Sequence, residues 1–504
     1  MPARWLPPIS LLVVGAVALS LSGCAFGPKQ SESQQVERRS FDHDGARPAS
    51  GLPPAAPAPS AAVVSTAFVE GPAEQVPSPK SDTSKDESAD RPSEPARPAD
   101  EKAPKTELAA DKAETKKYLN FEMQGRIQAD AIFVSQTPKD KAIVGDYQNV
   151  VGFRRARLGA KGDVGEQIHW VSEFDFAGGS IAFKDVYIAA DQLPIVRQLR
   201  VGNFPEPFSL EGATSSNVFP FCERSPIMAL DPARHWGVGF FSFTENERLT
   251  CQGGAFRSGS GNDGNDIGDG NDMAYTLRVT GLPYYDCDEN SYRLIHIGGA
   301  VSQTFLKNDV FTLNQGPQTS LLKPVDNPLS PFQPNLSLNA SQYQLFNVQT
   351  ATVCGPLSLQ AEWTAADVDQ VAGGPVFLNG CYVFGSWFVT GEHRQYSTKD
   401  GAFGMTQVHR PFVRMAGSHN LCCGPGAWEL TARFAYSNFE NSNIPVPANG
   451  LKQGNRLAET TVGVNWYLND YARIMFNYVN AVPVDPNFGP SGANAFFIQS
   501  AVFW

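Results

Sequence analysis

The chain lacks any cluster of Lys and Arg dense enough to follow a phosphate backbone, and its 504 residues carry a formal net charge of −11, so no nucleic-acid partner is expected. After the first thirty residues it also lacks a run of about 18 apolar residues, which excludes a transmembrane helix there. Neither G-x-S-x-G nor H-E-x-x-H occurs, and His43, His169, His235, His296, His393, His409 and His419 are scattered. The nucleophile-and-base or metal-and-base sets of a hydrolase are therefore missing, and no enzyme is expected. Apart from Cys24 there are seven cysteines, Cys222, Cys251, Cys287, Cys354, Cys381, Cys422 and Cys423, with no C-x-x-C or H-x-x-x-H spacing among them. Without that spacing, disulfides or buried thiols are expected rather than a metal, and no cofactor is called for.

What the chain does have begins with an export-like start. Arg4 precedes an apolar stretch from Ile9 to Leu21, too short for a stable span, and the exit reads Leu21-Ser22-Gly23-Cys24. Residues 1–24 thus read as a signal peptide whose exit resembles the lipobox of bacterial lipoproteins, with Cys24 as the lipidated residue. Residues 25–117 are rich in Pro, Ala, Ser, Glu and Lys and poor in aromatics, a composition that cannot bury enough surface to offset the entropy of ordering. They are expected to form a disordered tether, with a coil dimension of about 50 Å for about 90 residues. A weak helical tendency marks Thr106 to Lys116.

From Tyr118 the pattern changes to period-two alternation rich in Gly, Phe, Tyr and Trp. Leu119, Phe121, Met123, Ile127, Ala129, Ala131 and Phe133 share one face of the first run, while Asn120, Glu122, Gln124, Arg126, Gln128 and Asp130 share the other. Near the end, Trp428, Leu430, Ala432, Phe434 and Tyr436 alternate with Glu429, Thr431, Arg433 and Ser437. Val462, Val464, Trp466 and Leu468 are followed by a turn placed at Asn469-Asp470 and by Ala472, Ile474, Phe476 and Tyr478. The last run puts Phe496, Ile498, Val502 and Trp504 on one face.

A soluble β-sandwich has strands of about five to six residues and a charged outer face. These runs are longer and carry aromatics near their ends, as in transmembrane barrels. Residues 118–504 are therefore expected to form an all-β, antiparallel outer-membrane barrel of about 16 strands, at about 24 residues per strand and connection.

Alternation also assigns the wall arginines. Arg126, Arg155, Arg157, Arg200, Arg278, Arg433 and Arg473 fall opposite the apolar faces and should project into the lumen, since arginine facing lipid at mid-bilayer costs about 2–4 kcal/mol. Glu122, Asp130, Glu173, Asp175, Glu362 and Glu429 fall on the same side, so the wall is mixed in sign. The stretch Gly259 to Asp272, with Asp263, Asp266, Asp269 and Asp272 three apart, lacks the EF-hand spacing and reads as a solvated external loop.

Several segments resemble the phosphate-selective porin O and P family of Gram-negative outer membranes. They are G-R-I-Q-A-D (Gly125 to Asp130), F-R-R-A-R-L-G (Phe153 to Gly159), E-P-F-S-L-E followed by A-T-S-S (Glu206 to Ser216), and E-R-S (Glu223 to Ser225). T-G-E-H-R (Thr390 to Arg394), G-A-W-E-L-T-A-R (Gly426 to Arg433) and G-V-N-W-Y-L-N (Gly463 to Asn469) follow in order. The resemblance implies a sixteen-stranded homotrimeric porin in the outer-membrane lipid, passing small hydrophilic solutes or anions such as phosphate. It also implies that Phe204 to Trp236 folds inward as a constriction, with Arg224 and Arg234 either lining it or pinning it through acids such as Glu223 and Asp231. In phosphate-selective members a lysine follows A-T-S-S, whereas here Asn217 stands there, and from Tyr118 onward 35 acids face 26 bases. Two readings remain open, a diffusion pore and a plugged structural or adhesive barrel linked to other envelope layers by the tether.

Overall fold

The computed structural model describes residues 119–144, 146–179, 181–259, 272–286, 292–306, 310–313, 336–412, 424–445, 456–484 and 492–504. The expected signal peptide, Cys24, the tether and its weak helix, most of the stretch from Gly259 to Asp272, and Cys287, Cys422 and Cys423 lie outside them. Within the described residues, Cys222, Cys251, Cys354 and Cys381 are free thiols.

The wall opens with β1 (Leu119–Gln136), β2 (Val150–Val164), β3 (Ile168–Asp175), β4 (Ala182–Leu193), β5 (Arg197–Pro205), β6 (Arg234–Phe243), β7 (Leu249–Arg257), β8 (Met273–Asp286) and β9 (Arg293–Phe305). After the short β10 (Val310–Leu313) come β11 (Leu336–Cys354), β12 (Leu357–Gln370) and β13 (Val376–Phe388), then a hairpin of β14 (Tyr396–Ser397) and β15 (Ala402–Phe403). The wall ends with β16 (Ala427–Asn438), β17 (Arg456–Asn469), β18 (Ala472–Pro483) and β19 (Ala493–Phe503). Neighbours pair antiparallel, and β1 pairs with both β2 and β19, so the sheet closes on itself. Of its 17 strands, β10 only lies along β11, leaving a closed wall of 16. Closure leaves no open edge, which is the condition for a sheet to stand in lipid.

The two faces separate as the alternation requires. Phe121, Met123, Ile127 and Phe133 of β1 are exposed outward, while Gln128 and Asp130 are buried inside. The same split recurs in β8, where Tyr275, Leu277 and Val279 are exposed and Thr276, Arg278 and Thr280 are buried. Trp236, Tyr275 and Phe305 mark one end of the outer band, and Trp387 and Trp504 mark the other. At that second end Trp428 and Trp466 stack with centroids 5.3 Å apart, and both indole N–H groups donate to the Pro425 carbonyl. An amphipathic ring at each interface is the girdle of a membrane barrel. Among the described residues no helix is long and apolar enough to cross a membrane.

Two local corrections follow from backbone pairing. The β17–β18 turn is Asp470-Tyr471, one residue later than expected, because Asn469 still pairs with Ala472 and its side chain accepts the Tyr471 N–H at 2.8 Å. In β2 a bulge opposite Gln128 and Ala129 leaves Arg154 without a partner in β1. The extra residue breaks the alternation, so Arg154 and Arg155 both turn inward while Phe153 stays on the lipid side.

Short turns join the strands at the end that holds Trp504: β2 to β3, β4 to β5, β6 to β7, β11 to β12 and β17 to β18. In such barrels these are the periplasmic turns. One connection at this end breaks the pattern. Residues 389–426 between β13 and β16 are long and carry the β14–β15 hairpin, whereas the long segment 206–233 between β5 and β6 lies at the opposite, extracellular end.

Candidate pore lining

The segment 206–233 does not stay with β5 and β6. It holds a short helix α1 (Leu210–Ala213), capped by Ser209, and a 3-10 turn (Pro226–Leu230). Across the lumen, the Glu362 carboxylate of β12 accepts the N–H groups of Leu210 at 2.9 Å and Glu211 at 2.7 Å, meeting the open donors of a helix start. Arg473 of β18 donates to the carbonyls of Phe219 at 3.0 Å and Ser216 at 2.7 Å. Arg433 of β16 donates to the Glu223 carbonyl at 3.0 Å and pairs with Glu459 at 2.8 Å. Asn465 holds the Pro220 carbonyl, and Asn477 accepts the Cys222 N–H. The loop is thus tied to β12, β16, β17 and β18, and through Arg126 and Ser216 at 3.0 Å to β1.

The expected loop pairings are redistributed. Glu223 pairs with Arg154 at 2.6 Å rather than with Arg224. Arg234 pairs with Asp185 of β4 at 3.0 Å rather than with Asp231. Arg224 donates to the Thr214 carbonyl at 2.6 Å and lies over the Phe219 ring, with no carboxylate in ion-pair range among the described residues. Its buried Nη1 has no partner, and burial lowers its pKa. Burial raises the Asp231 carboxyl well above the usual range.

The wall arginines expected in the lumen sit in three kinds of setting. Arg126 and Arg157 share Glu173, at 3.0 and 3.6 Å, and Arg157 also pairs with Asp175 at 2.8 Å. Arg433 and Arg473 hold the loop. Among the described residues Arg155, Arg200 and Arg278 meet only neutral acceptors: Arg155 the Gln128 amide at 2.7 Å, Arg278 Gln349 and the Gly401 carbonyl, each at 2.7 Å, and Arg200 Gln198. Of the expected lumen acids, Asp130 is held by Gln499, Glu429 by Ser386, Asn465 and Tyr467, and Glu122 sits near the rim with Lys161 at 3.2 Å.

The connection 389–426 is the part that alternation missed. Its hairpin also folds inward, reaching β7, β8 and β9: the Asp400 carbonyl accepts from Gln252 at 3.0 Å, Gly401 from Arg278, and the Tyr396 hydroxyl meets His296 at 2.6 Å. Gly401 sits at φ +63° and a Cβ there would stand 2.7 Å from the Thr280 hydroxyl, so glycine is required twice over. Arg394 packs 3.6 Å over the Phe403 ring, and burial lowers its pKa to about 10. Counting strands along the sequence would have exposed this segment, because it falls at the short-turn end. The adjacent arginines of F-R-R-A-R were likewise a signal, since strict alternation would have put one of them in lipid.

On the extracellular half, β10 covers an apolar stretch of the inner wall. Phe311 and Leu313 pack with Leu336, Leu338, Val368 and Leu378.

The profile of the phosphate-selective porin O and P family matches residues 121–482. Porin O of Pseudomonas aeruginosa is 23% identical over 397 residues, covering 75% of this chain and 86% of that protein. An uncharacterized protein of Caulobacter vibrioides is 26% identical over 379 residues, covering 71% and 68%. Among solved structures, an anion-selective porin from Comamonas acidovorans aligns with a TM-score of 0.47 at 12% identity, covering 77% of this chain and 100% of that one. OmpT of Vibrio cholerae aligns at 0.45 and 11%, covering 77% and 98%. With the family profile spanning nearly the whole wall from β1 to β18, the chain belongs to the phosphate-selective porin O and P family of outer-membrane channels.

Proposed function

We propose that the barrel passes small hydrophilic solutes by passive diffusion, with a preference for anions, and that the segment 206–233 narrows the lumen. Sixteen strands enclose room for an aqueous passage. The observation that carries the anion preference is how the charges are held. Among the described residues Arg155, Arg200, Arg224, Arg278, Arg394 and Arg473 have no carboxylate partner, whereas Glu173, Asp175, Asp185, Glu223 and Glu459 are each paired with an arginine. Asp130, Glu206, Asp231, Glu362 and Glu429 are the counterweight, with no arginine in ion-pair range among the described residues. The balance in the lumen is therefore more positive than the 35 acids and 26 bases of the barrel sequence suggest. Cations in a narrow passage raise the local anion concentration, and several weak sites let the ion leave.

Phosphate specificity is not part of this reading, since Asn217 stands where the phosphate-selective members have lysine. Assembly as a homotrimer and anchoring through a lipidated Cys24 and the tether are proposed with it, from the family resemblance and the lipobox-like exit. The inward hairpin 396–403 favours a second reading, a barrel plugged at its periplasmic end. Single-channel recording in planar bilayers, with liposome swelling in small sugars, separates the two. Discrete open-channel steps and sugar entry are expected; a barrel that inserts but neither conducts nor swells would overturn the pore.

A further inference from the structure

The inner wall of β4 to β7 carries a feature that an ion path alone does not need. Tyr187, Phe204, Phe241 and Phe256 stand together on the lumen side of this part of the wall. Phe204 touches its neighbours at centroid distances of 5.9 Å to Tyr187, 6.1 Å to Phe241 and 5.4 Å to Phe256. Phe204 and Phe256 are fully buried and form the base, while Tyr187 and Phe241 are partly exposed above it. Glycines give the rings room to lie against the backbone. A Cβ at Gly237 would stand 2.4 Å from the Phe256 ring, and one at Gly239 3.0 Å from the Phe204 ring. Glycine inside a strand weakens it, so a close approach of this kind is what its presence answers.

Arg200 completes the patch. Its guanidinium lies 3.9 Å from the Phe241 centroid and 4.9 Å from the Tyr187 centroid. Only Nε is used, donating to Gln198, and the Gln198 amide in turn donates to Asp191 at 2.5 Å, which keeps that carboxylate off the arginine. Among the described residues neither Nη of Arg200 has a protein acceptor, in contrast to Arg126, Arg157, Arg234, Arg433 and Arg473, whose forks are occupied. Nearby, Arg197 lies 5.5 Å from the Phe243 ring, and Lys399, paired with Glu247, lies 5.6 Å from it.

We propose that Tyr187, Arg200 and Phe241 form a binding site in the lumen for aromatic carboxylates. The free Nη pair of Arg200 takes the carboxylate in the two-point geometry a planar fork allows, and the exposed ring faces of Tyr187 and Phe241 take the flat apolar body. Simple inorganic anions meet only the first half of this site. The inference rests on the channel reading above and adds a solute class to it.

Single-channel recording of the full-length protein in potassium chloride, titrated with benzoate or with acetate, tests it. Benzoate should interrupt the chloride current at a concentration about tenfold below that of acetate, the difference that ring contacts contribute. In Arg200→Lys, which keeps the charge but loses the fork and the flat stack, and in Phe241→Leu, which keeps the apolar bulk but loses the ring, the benzoate-to-acetate ratio should fall toward one. A chloride current in each variant shows that the barrel has folded. Equal block by the two acids in the unmodified protein, or a benzoate preference that survives both substitutions, would overturn the site while leaving the channel intact. The absence of any chloride current would overturn the channel reading and the site with it.

Discussion

Two segments enter the barrel from opposite ends, and they are held by opposite logics. The extracellular segment 206–233 is tied down through charge: Glu362 on a helix start, Arg433 and Arg473 on backbone carbonyls, and Arg154 on Glu223. The periplasmic hairpin 396–403 is tied through mostly neutral contacts around the buried cation Arg278, with Tyr396 on His296 and Gly401 against Thr280, and through one exposed ion pair, Lys399 with Glu247 at 3.5 Å. The difference teaches where the lumen's charge goes. Anchoring the first segment sets both signs against the loop, Glu362 beside Arg433 and Arg473, whereas the buried anchoring of the second sets only the Arg278 guanidinium against the hairpin.

The largest effect that would break this comparison is Arg473→Ala. Losing a fully buried guanidinium that satisfies two loop carbonyls should cost about 2–4 kcal/mol and free the loop, read as a lower urea midpoint in detergent and a larger, noisier conductance. An unchanged midpoint would show that the segment is held by packing. Next comes Gly401→Val, where a β-branched residue at positive φ meeting Thr280 should cost about 1–2 kcal/mol and displace the hairpin, with faster protease cleavage between residues 389 and 412 as the readout. Tyr396→Phe removes one hydroxyl from His296 and should cost about 1 kcal/mol, loosening the hairpin without touching the loop at the other end. The smallest effect is expected from Lys161→Gln: its ion pair with Glu122 lies exposed at the rim and should change the midpoint by less than about 0.5 kcal/mol. A loss comparable to that of Arg473→Ala would contradict the ranking.

The wall was legible in the sequence because lipid and water impose a strict period of two, and each of β1, β16, β17, β18 and β19 writes it in alternating Phe, Val or Trp against Gln, Asn or Arg. Arg154 was not, because a bulge is a local break in the rule that alternation assumes. The loop partners were hidden for a different reason. Arg234 finds Asp185 and Glu223 finds Arg154 only after the barrel closes, and nearness in sequence had favoured Asp231 and Arg224. The inward hairpin escaped notice because β14 and β15 are two residues long and carry no periodic signal of their own.

The central claim is that the lumen favours anions although the chain as a whole is acidic. Its most direct test is the reversal potential of the unmodified channel across a tenfold gradient of potassium chloride. A potential of the sign set by chloride permeation is expected, whereas a potential set by potassium would show that Glu362 and Glu429, rather than the arginines held by neutral partners, decide which ions pass.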